Sequence, residues 1–274
     1  MEQRLCWPTS SRPCSTIQRP LPCPVACSFL LWPHTTFLLP LCLPRGCFLT
    51  FSTTQNDTRW IDFGADNYAG VLYSNIPEKD GRHLFIGWMS NWAYANKVSL
   101  VDRKNMMTLP RSISLISTVN DHILAMRPVD EVSEVTGEGT PASLEKLKSG
   151  FETETAYKLE IAPGTDDSQL IFTNTLGDSL VVGLSQNEIS IDRSRCGNVS
   201  LSDVFPRVHK VTMKRLEQVS IYMDRSSIEL FANNGKVNMT DLFFTQAPLS
   251  KVFVSDDTNS IGVVYSPISL TSKP

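Results

Sequence analysis

Val219-Ser220-Ile221-Tyr222-Met223 runs into Asp224-Arg225-Ser226-Ser227, then into Ile228-Glu229-Leu230-Phe231-Ala232 and Asn233-Asn234-Gly235. Val219, Ile221 and Met223 share one face of an extended chain, because side chains alternate sides along a strand. Ile228 and Leu230 resume that alternation after the polar turn. The Asn-Gly pair then supplies the positive φ that a tight hairpin turn needs. The stretch reads as consecutive strands separated by polar turns.

The same grammar recurs on both sides. Leu170 and Phe172 point one way, Leu176-Gly177-Asp178 turns the chain, and Leu180, Val182 and Leu184 answer, followed by Ile189 and Ile191. Upstream, Val71-Leu72-Tyr73 and Leu84-Phe85-Ile86-Gly87-Trp88 flank Gly81-Arg82 as a hairpin signal. Trp88, beside Phe85 and Ile86, reads as a core residue. Ile113 and Leu115 share a face within 112–116. Short strands at this spacing indicate a sandwich or a barrel, and none is long enough for a large barrel. The expected fold class is all-β, with a β-sandwich over 150–274. Glu131, Glu134, Glu138 and Glu145 gather with Gly137, Gly139 and Pro141, which reads as a linker over 131–149. Within it, 142–149 allows two helical turns with Leu144 and Leu147 on one side.

Residues 1–57 differ in kind. They hold eight prolines between Pro8 and Pro44, and before residue 51 they have no lysine and a single acidic residue, Glu2. Prolines at this density break helix and ladder alike, so this leader is expected to be unstructured and unrelated to the rest. Cys6, Cys14, Cys23, Cys27, Cys42 and Cys47 crowd into it without the strands and turns that a disulfide framework needs. Pro33, His34 and Pro40 interrupt its apolar run at 25–43, which argues against a membrane span and against an orderly secretion signal.

The whole chain has 274 residues, a net charge of -3, 41% apolar residues and 19% charged residues. That balance gives no basis for binding nucleic acid or an anionic membrane. His83, His122 and His209 are scattered without metal-ligand spacing, and no cofactor is expected.

Three longer stretches are more specific. They are Asp62-Phe63-Gly64-Ala65-Asp66-Asn67-Tyr68-Ala69-Gly70, then Gly87-Trp88-Met89-Ser90-Asn91-Trp92-Ala93-Tyr94-Ala95-Asn96 closed by Met107-Thr108-Leu109-Pro110-Arg111, and Asp224-Arg225-Ser226-Ser227-Ile228-Glu229-Leu230-Phe231. In this order they resemble the levanase, exo-inulinase and invertase branch of glycoside hydrolase family 32, over residues 58–266. The resemblance implies a five-bladed β-propeller followed by a β-sandwich, with 58–130 as the last blade. It also implies secretion and retaining hydrolysis of a fructan or sucrose-type carbohydrate.

Such chemistry needs a carboxylate nucleophile and a carboxylic acid about 5 Å apart. In the family, an Asn-Asp-Pro-Asn-Gly motif supplies the nucleophile, a Glu-Cys motif the acid/base, and an Arg-Asp-Pro motif a further aspartate. None of these occurs in this sequence, and Gln55-Asn56-Asp57-Thr58 is the nearest echo of the first. No catalytic residue is therefore assigned, and the chain alone is expected to be inactive. Two other readings stay open: a non-catalytic carbohydrate-binding module, and a subunit that associates through the exposed propeller edge.

By the same resemblance, Asp66, Tyr68 and Trp92 approach the sugar pocket. Asp66 can accept hydrogen bonds from hydroxyls, Tyr68 offers a ring and a hydroxyl, and an indole face stacks on the apolar side of a sugar. The plainer alternatives are a polar turn residue and half-buried aromatics. Arg103 follows Asp102, where the family usually has a tryptophan. Asp224 and Arg225, between strands, read as turn residues. Asn56, Asn198 and Asn238 begin glycosylation sequons, a number close to chance.

Overall fold

The structure is a computed structural model that describes residues 58–98, 105–118, 122–203, 205 and 207–269, with the backbone of two dipeptide strands, β1 (Leu38–Leu39) and β2 (Leu49–Thr50), paired antiparallel. These two short strands fall within the leader expected to be unstructured; the rest of that leader, the sequon at Asn56 and the Asp102-Arg103 pair lie outside the described residues.

The first sheet is a single blade. It is antiparallel in the order β3 (Tyr68–Leu72), β4 (His83–Met89), β6 (Arg111–Ser117), β7 (His122–Pro128), with β5 (Met106–Met107) beside the end of β4. Along β4 the buried positions are Phe85, Gly87 and Met89, every second residue. Trp88 therefore falls on the opposite, half-buried face, which corrects its reading as core: alternation selects Phe85 instead. Gly70 makes room for that ring, since a Cβ there would lie 2.1 Å from Phe85 Cζ.

Two six-stranded antiparallel sheets follow. One has the order β17 (Val237–Leu242), β16 (Ser227–Ala232), β15 (Val219–Met223), β10 (Tyr157–Pro163), β19 (Ile261–Pro267), β8 (Thr140–Ala142). The other runs β14 (Val208–Thr212), β13 (Glu188–Arg195), β12 (Ser179–Leu184), β11 (Ser168–Thr173), β18 (Lys251–Val254), β9 (Phe151–Glu152). Their inner faces form one core. Leu170, Phe172, Leu180, Val182, Ile189, Ile191, Ile221, Ile228 and Leu230 are fully buried in it, so the period-two pattern of the sequence does mark the inward faces.

The acidic stretch expected to be a linker is instead built into the sandwich. After α1 (Val132–Val135), β8 pairs with β19, and α2 (Leu144–Ser149) sinks Leu147 into the core. Ser143 caps α2 by accepting the Lys146 N–H at 3.2 Å. The pattern of glutamates describes only the outer surface of this segment.

The turns behave as their residue types demand. Asp224 donates its N–H to Ser227 and accepts the Arg225 N–H at 2.7 Å on its carboxylate, so it is a turn residue. Asn233, Asn234 and Gly235 carry φ of 50°, 58° and 77°. A Cβ at Gly235 would stand 2.1 Å from the Met126 carbonyl oxygen, because this turn abuts β7 of the blade.

Candidate functional site

The blade and sandwich meet along β17, an edge strand with unpaired backbone groups that must find partners. Residues 62–66 supply them. The N–H groups of Phe63 and Asp66 donate to the carbonyls of Asn238 and Thr240 at 2.8 and 3.0 Å. In return, Thr240 N–H donates to Asp62 Oδ1 at 2.8 Å and Leu242 N–H to Asp66 Oδ2 at 2.9 Å. Two aspartate side chains thus stand in for strand carbonyls. Gly64 permits the approach, since a Cβ there would lie 2.2 Å from the Thr240 carbonyl oxygen.

Two buried arginines close this interface. Arg111, with no exposed surface, donates to Asp62 at 3.0 Å, Glu229 at 2.7 Å and Thr240 Oγ1 at 2.6 Å, over the Phe231 ring at 4.9 Å. Arg193, equally buried, donates to Asp66 at 2.9 Å and to the Leu242 carbonyl, faces Asp241 at 3.7 Å and stacks 4.1 Å from the Phe205 ring centroid. Tyr94 donates its hydroxyl to Asp66, and His209 Nδ1 meets the far oxygen of Asp241 at 3.0 Å. Burial pushes the carboxyls of Asp66 and Glu229 above their ordinary range, and Arg193 and Arg111 respectively hold them back. Burial likewise raises the Tyr94 phenol, with the Asp66 charge adding to it, so Tyr94 remains a donor.

A different surface is open. Asn91 donates to the Ala65 carbonyl at 2.9 Å, and Tyr94 is tied to Asp66, so the loop between them is anchored at both ends. That loop presents Trp92, 61% exposed. Its ring centroid lies 5.1 Å from that of Trp88 and 6.5 Å from that of Tyr68, edge-on in both cases. Beside them is a concavity of about 200 Å³, lined by Trp88, Ser90, Trp92, Asn96, Asn105 and Leu242. This is below the ~300 Å³ of a typical small-ligand pocket. Indole supplies an apolar face, while the Ser90 hydroxyl and two amides supply hydrogen bonds.

The three residues expected at a sugar pocket therefore separate. Tyr68 and Trp92 share the open aromatic surface. Asp66 does not: it is fully buried, both its oxygens are taken, and no sugar hydroxyl can reach it in this structure. Tyr94, Arg111 and Glu229 lie within the stretches that carry the family resemblance but were given no role there, and Arg193 and Asp241 were not singled out by the sequence. A signal existed for two of them. Arg193 continues the inward series Ile189, Ile191, and Glu229 interrupts an otherwise apolar run. A charge on a buried face needs a buried partner. Among the described residues there is no cluster of three or more His, Cys, Asp or Glu side chains suited to a metal, and no helix long and apolar enough to cross a membrane.

Comparison with known proteins bears on what this architecture belongs to. The family description "Glycosyl hydrolases family 32 C terminal" matches residues 130–267, and "Glycosyl hydrolases family 32 N-terminal domain" matches residues 47–128. The second match begins eleven residues before Thr58, so the homologous region extends into what the sequence assigned to the leader. A levanase of Bacillus subtilis is 31% identical over 205 residues, 68% of this chain and 30% of that protein. An extracellular exo-inulinase of Aspergillus niger is 25% identical over 208 residues, 69% of this chain and 38% of that protein. In fold, exo-inulinase from Aspergillus awamori superposes with a TM-score of 0.67 at 19% identity, over 82% of this chain and 48% of that one. Fructofuranosidase from Schwanniomyces occidentalis complexed with fructose gives 0.64 at 21% identity, over 80% and 51%. The chain thus spans about a third of the length of these curated relatives, and its blade and sandwich correspond to about half of the solved chains. On these matches, together with the blade-and-sandwich architecture, the chain belongs to glycosyl hydrolase family 32.

Proposed function

We propose that this chain is a non-hydrolytic C-terminal portion of a β-fructofuranosidase-type enzyme. It offers an aromatic wall to a fructan or sucrose-type carbohydrate and does not itself cleave the fructosyl bond. The observation supporting this is the state of the four carboxylates gathered where the blade meets the sandwich, beside a sequence that carries none of the family's nucleophile and acid/base motifs. A retaining fructosidase needs two carboxyl groups about 5 Å apart that both reach the sugar. Here Asp62 and Glu229 are held by Arg111, and Asp66 and Asp241 face Arg193, all at buried positions. Carboxylates so held can neither attack an anomeric carbon nor protonate a leaving oxygen. The ligand class rests on the levanase and exo-inulinase names of relatives and on a solved relative complexed with fructose.

The test is a titration of the purified full chain with short inulin oligosaccharides, followed by tryptophan emission and by chromatography of the sugars. The emission is expected to shift with no new fructose. An unchanged emission would remove the aromatic wall from the proposal, and released fructose would remove its non-hydrolytic character.

A second reading is association through the blade. It is favoured by Leu115 and Leu124, directly opposed across β6 and β7 yet 65% and 42% exposed, and by Val71 at 56%. Concentration-dependent sedimentation is expected under this reading, and a sharp monomer at every concentration counts against it.

A further inference from the structure

The loop that follows β4 has two sides. Trp92, Ala93 and Asn96 are exposed, whereas Tyr94 and Val98 are buried. With Met89 at the end of β4, the buried side enters a hydrophobic cluster separate from the main core of the sandwich. The other buried members of that cluster, Phe205, Leu242 and Phe244, all come from the sandwich. The Tyr94 ring stands 4.9 Å from that of Phe205 at 64°, and Phe205 in turn lies 6.1 Å from Phe244. The loop belongs to the blade in sequence and packs on the sandwich.

Polar contacts converge on the same residue. Tyr94 donates its hydroxyl to Asp66 Oδ1 and accepts from Arg193 Nη2 at 3.4 Å, while Arg193 Nη1 donates to Asp66 Oδ2 at 2.9 Å. Arg193 rises from β13, so one corner of this triangle is in the sandwich and two are in the blade. Asn91 ties the start of the loop from within the blade: Nδ2 donates to the Ala65 carbonyl and Oδ1 accepts the Ala93 N–H, both at 2.9 Å. Trp92 lies between the two ties, and a shift of either moves its indole. Leu242, on β17, lines the concavity beside that indole, so blade and sandwich both wall it.

We propose that the sandwich positions the indole of Trp92, with Tyr94 as the positioning residue through which Arg193 and Phe205 act; the value of that position for holding carbohydrate rests on the function proposed above. An exposed aromatic side chain on an untied loop would lose its freedom each time a ligand bound, and ordering it beforehand removes that cost from binding. The hydroxyl of Tyr94 sets where the loop stands against Asp66 and Arg193. Its ring, wedged against Phe205, keeps the loop from lifting off.

The test is fluorine NMR of the full chain labelled with fluorotryptophan, the Trp92 line being assigned from Trp92→Phe. Without sugar, Tyr94→Phe and Phe205→Leu should each shift or broaden that line. Phe205→Leu makes its change in the sandwich alone and leaves every hydrogen bond of the triangle in place. Leu147→Ala, in the main core, should melt earlier than the parent yet leave the Trp92 line where it is. When short inulin oligosaccharides are titrated against the same line, Tyr94→Phe should bind about 2- to 12-fold more weakly than the parent, the cost of ordering one side chain on binding. A Trp92 line unmoved in both variants, a line moved as far by Leu147→Ala, or parent-like affinity in Tyr94→Phe overturns the positioning role. A parent line that sugar does not move removes the carbohydrate reading instead, and the sugar-free comparison then decides the positioning role by itself.

Discussion

Arg111→Met removes the positive charge from the centre of the interface while keeping most of the side-chain volume. It leaves Asp62 and Glu229, which Arg111 contacts at 3.0 and 2.7 Å, with one shared cation fewer at a buried position. Breaking a buried ion pair costs about 3–5 kcal/mol, because a charge stays behind without compensation. For a domain of roughly 200 residues, each kcal/mol moves the melting temperature by about 2–4 °C, so a fall of about 6–20 °C is expected. The pH dependence has a definite sign. The Glu229 carboxyl is already raised by burial, with Arg111 opposing the rise, so removing Arg111 raises it further. A carboxyl raised above its unfolded value favours the folded state in its protonated form. That contribution is fully present below the unfolded value and is lost as pH rises through the folded value. Acidification from neutrality toward the ordinary glutamate range should therefore narrow the gap between variant and parent. The assay is calorimetry of both proteins at several pH values. A fall below about 2 °C at neutral pH, or a gap that widens on acidification, would refute the reasoning.

Gly64→Ala should destabilise by about 1–3 kcal/mol, read by urea melting, because the added methyl meets the Thr240 backbone rather than a movable side chain. Leu147→Ala should cost about 2–5 kcal/mol, and 131–149 should resist limited proteolysis as well as the strands do; early cleavage there would mean that this segment is a free linker after all. Trp92→Ala should cost at most about 1.5 kcal/mol of stability, since the ring is largely exposed, yet abolish any carbohydrate-dependent change in emission.

The sandwich was legible because its information is local. The alternation of Val219, Ile221 and Met223 and the positive φ of Asn233-Asn234-Gly235 each depend on neighbours within a few residues, and both appear in the structure. The helix over Leu144 and Leu147 was legible for the same reason, although its burial was not: glutamates and glycines nearby gave it the look of surface. The interface was illegible because its pairs are distant in sequence. Asp62 and Thr240 are 178 residues apart, and Asp66 and Arg193 are 127 apart. An aspartate beside Gly64 reads as a polar turn until the edge of β17 is placed against it. Trp88 shows the limit of a local rule: its neighbours are apolar, but the parity of the strand puts it with Tyr68 and Trp92.

The central claim is that the carboxylates gathered by this fold hold the blade to the sandwich and perform no hydrolysis. Its most direct measurement is fructose release from sucrose, inulin and levan by the purified full chain, free of host invertase, beside Glu229→Gln and Asp66→Asn variants. The account predicts fructose no higher than in a protein-free control for all three proteins, with the variants losing stability. Sustained turnover on the order of 1 s⁻¹ by the parent chain, abolished in a variant that still melts like the parent, would contradict it.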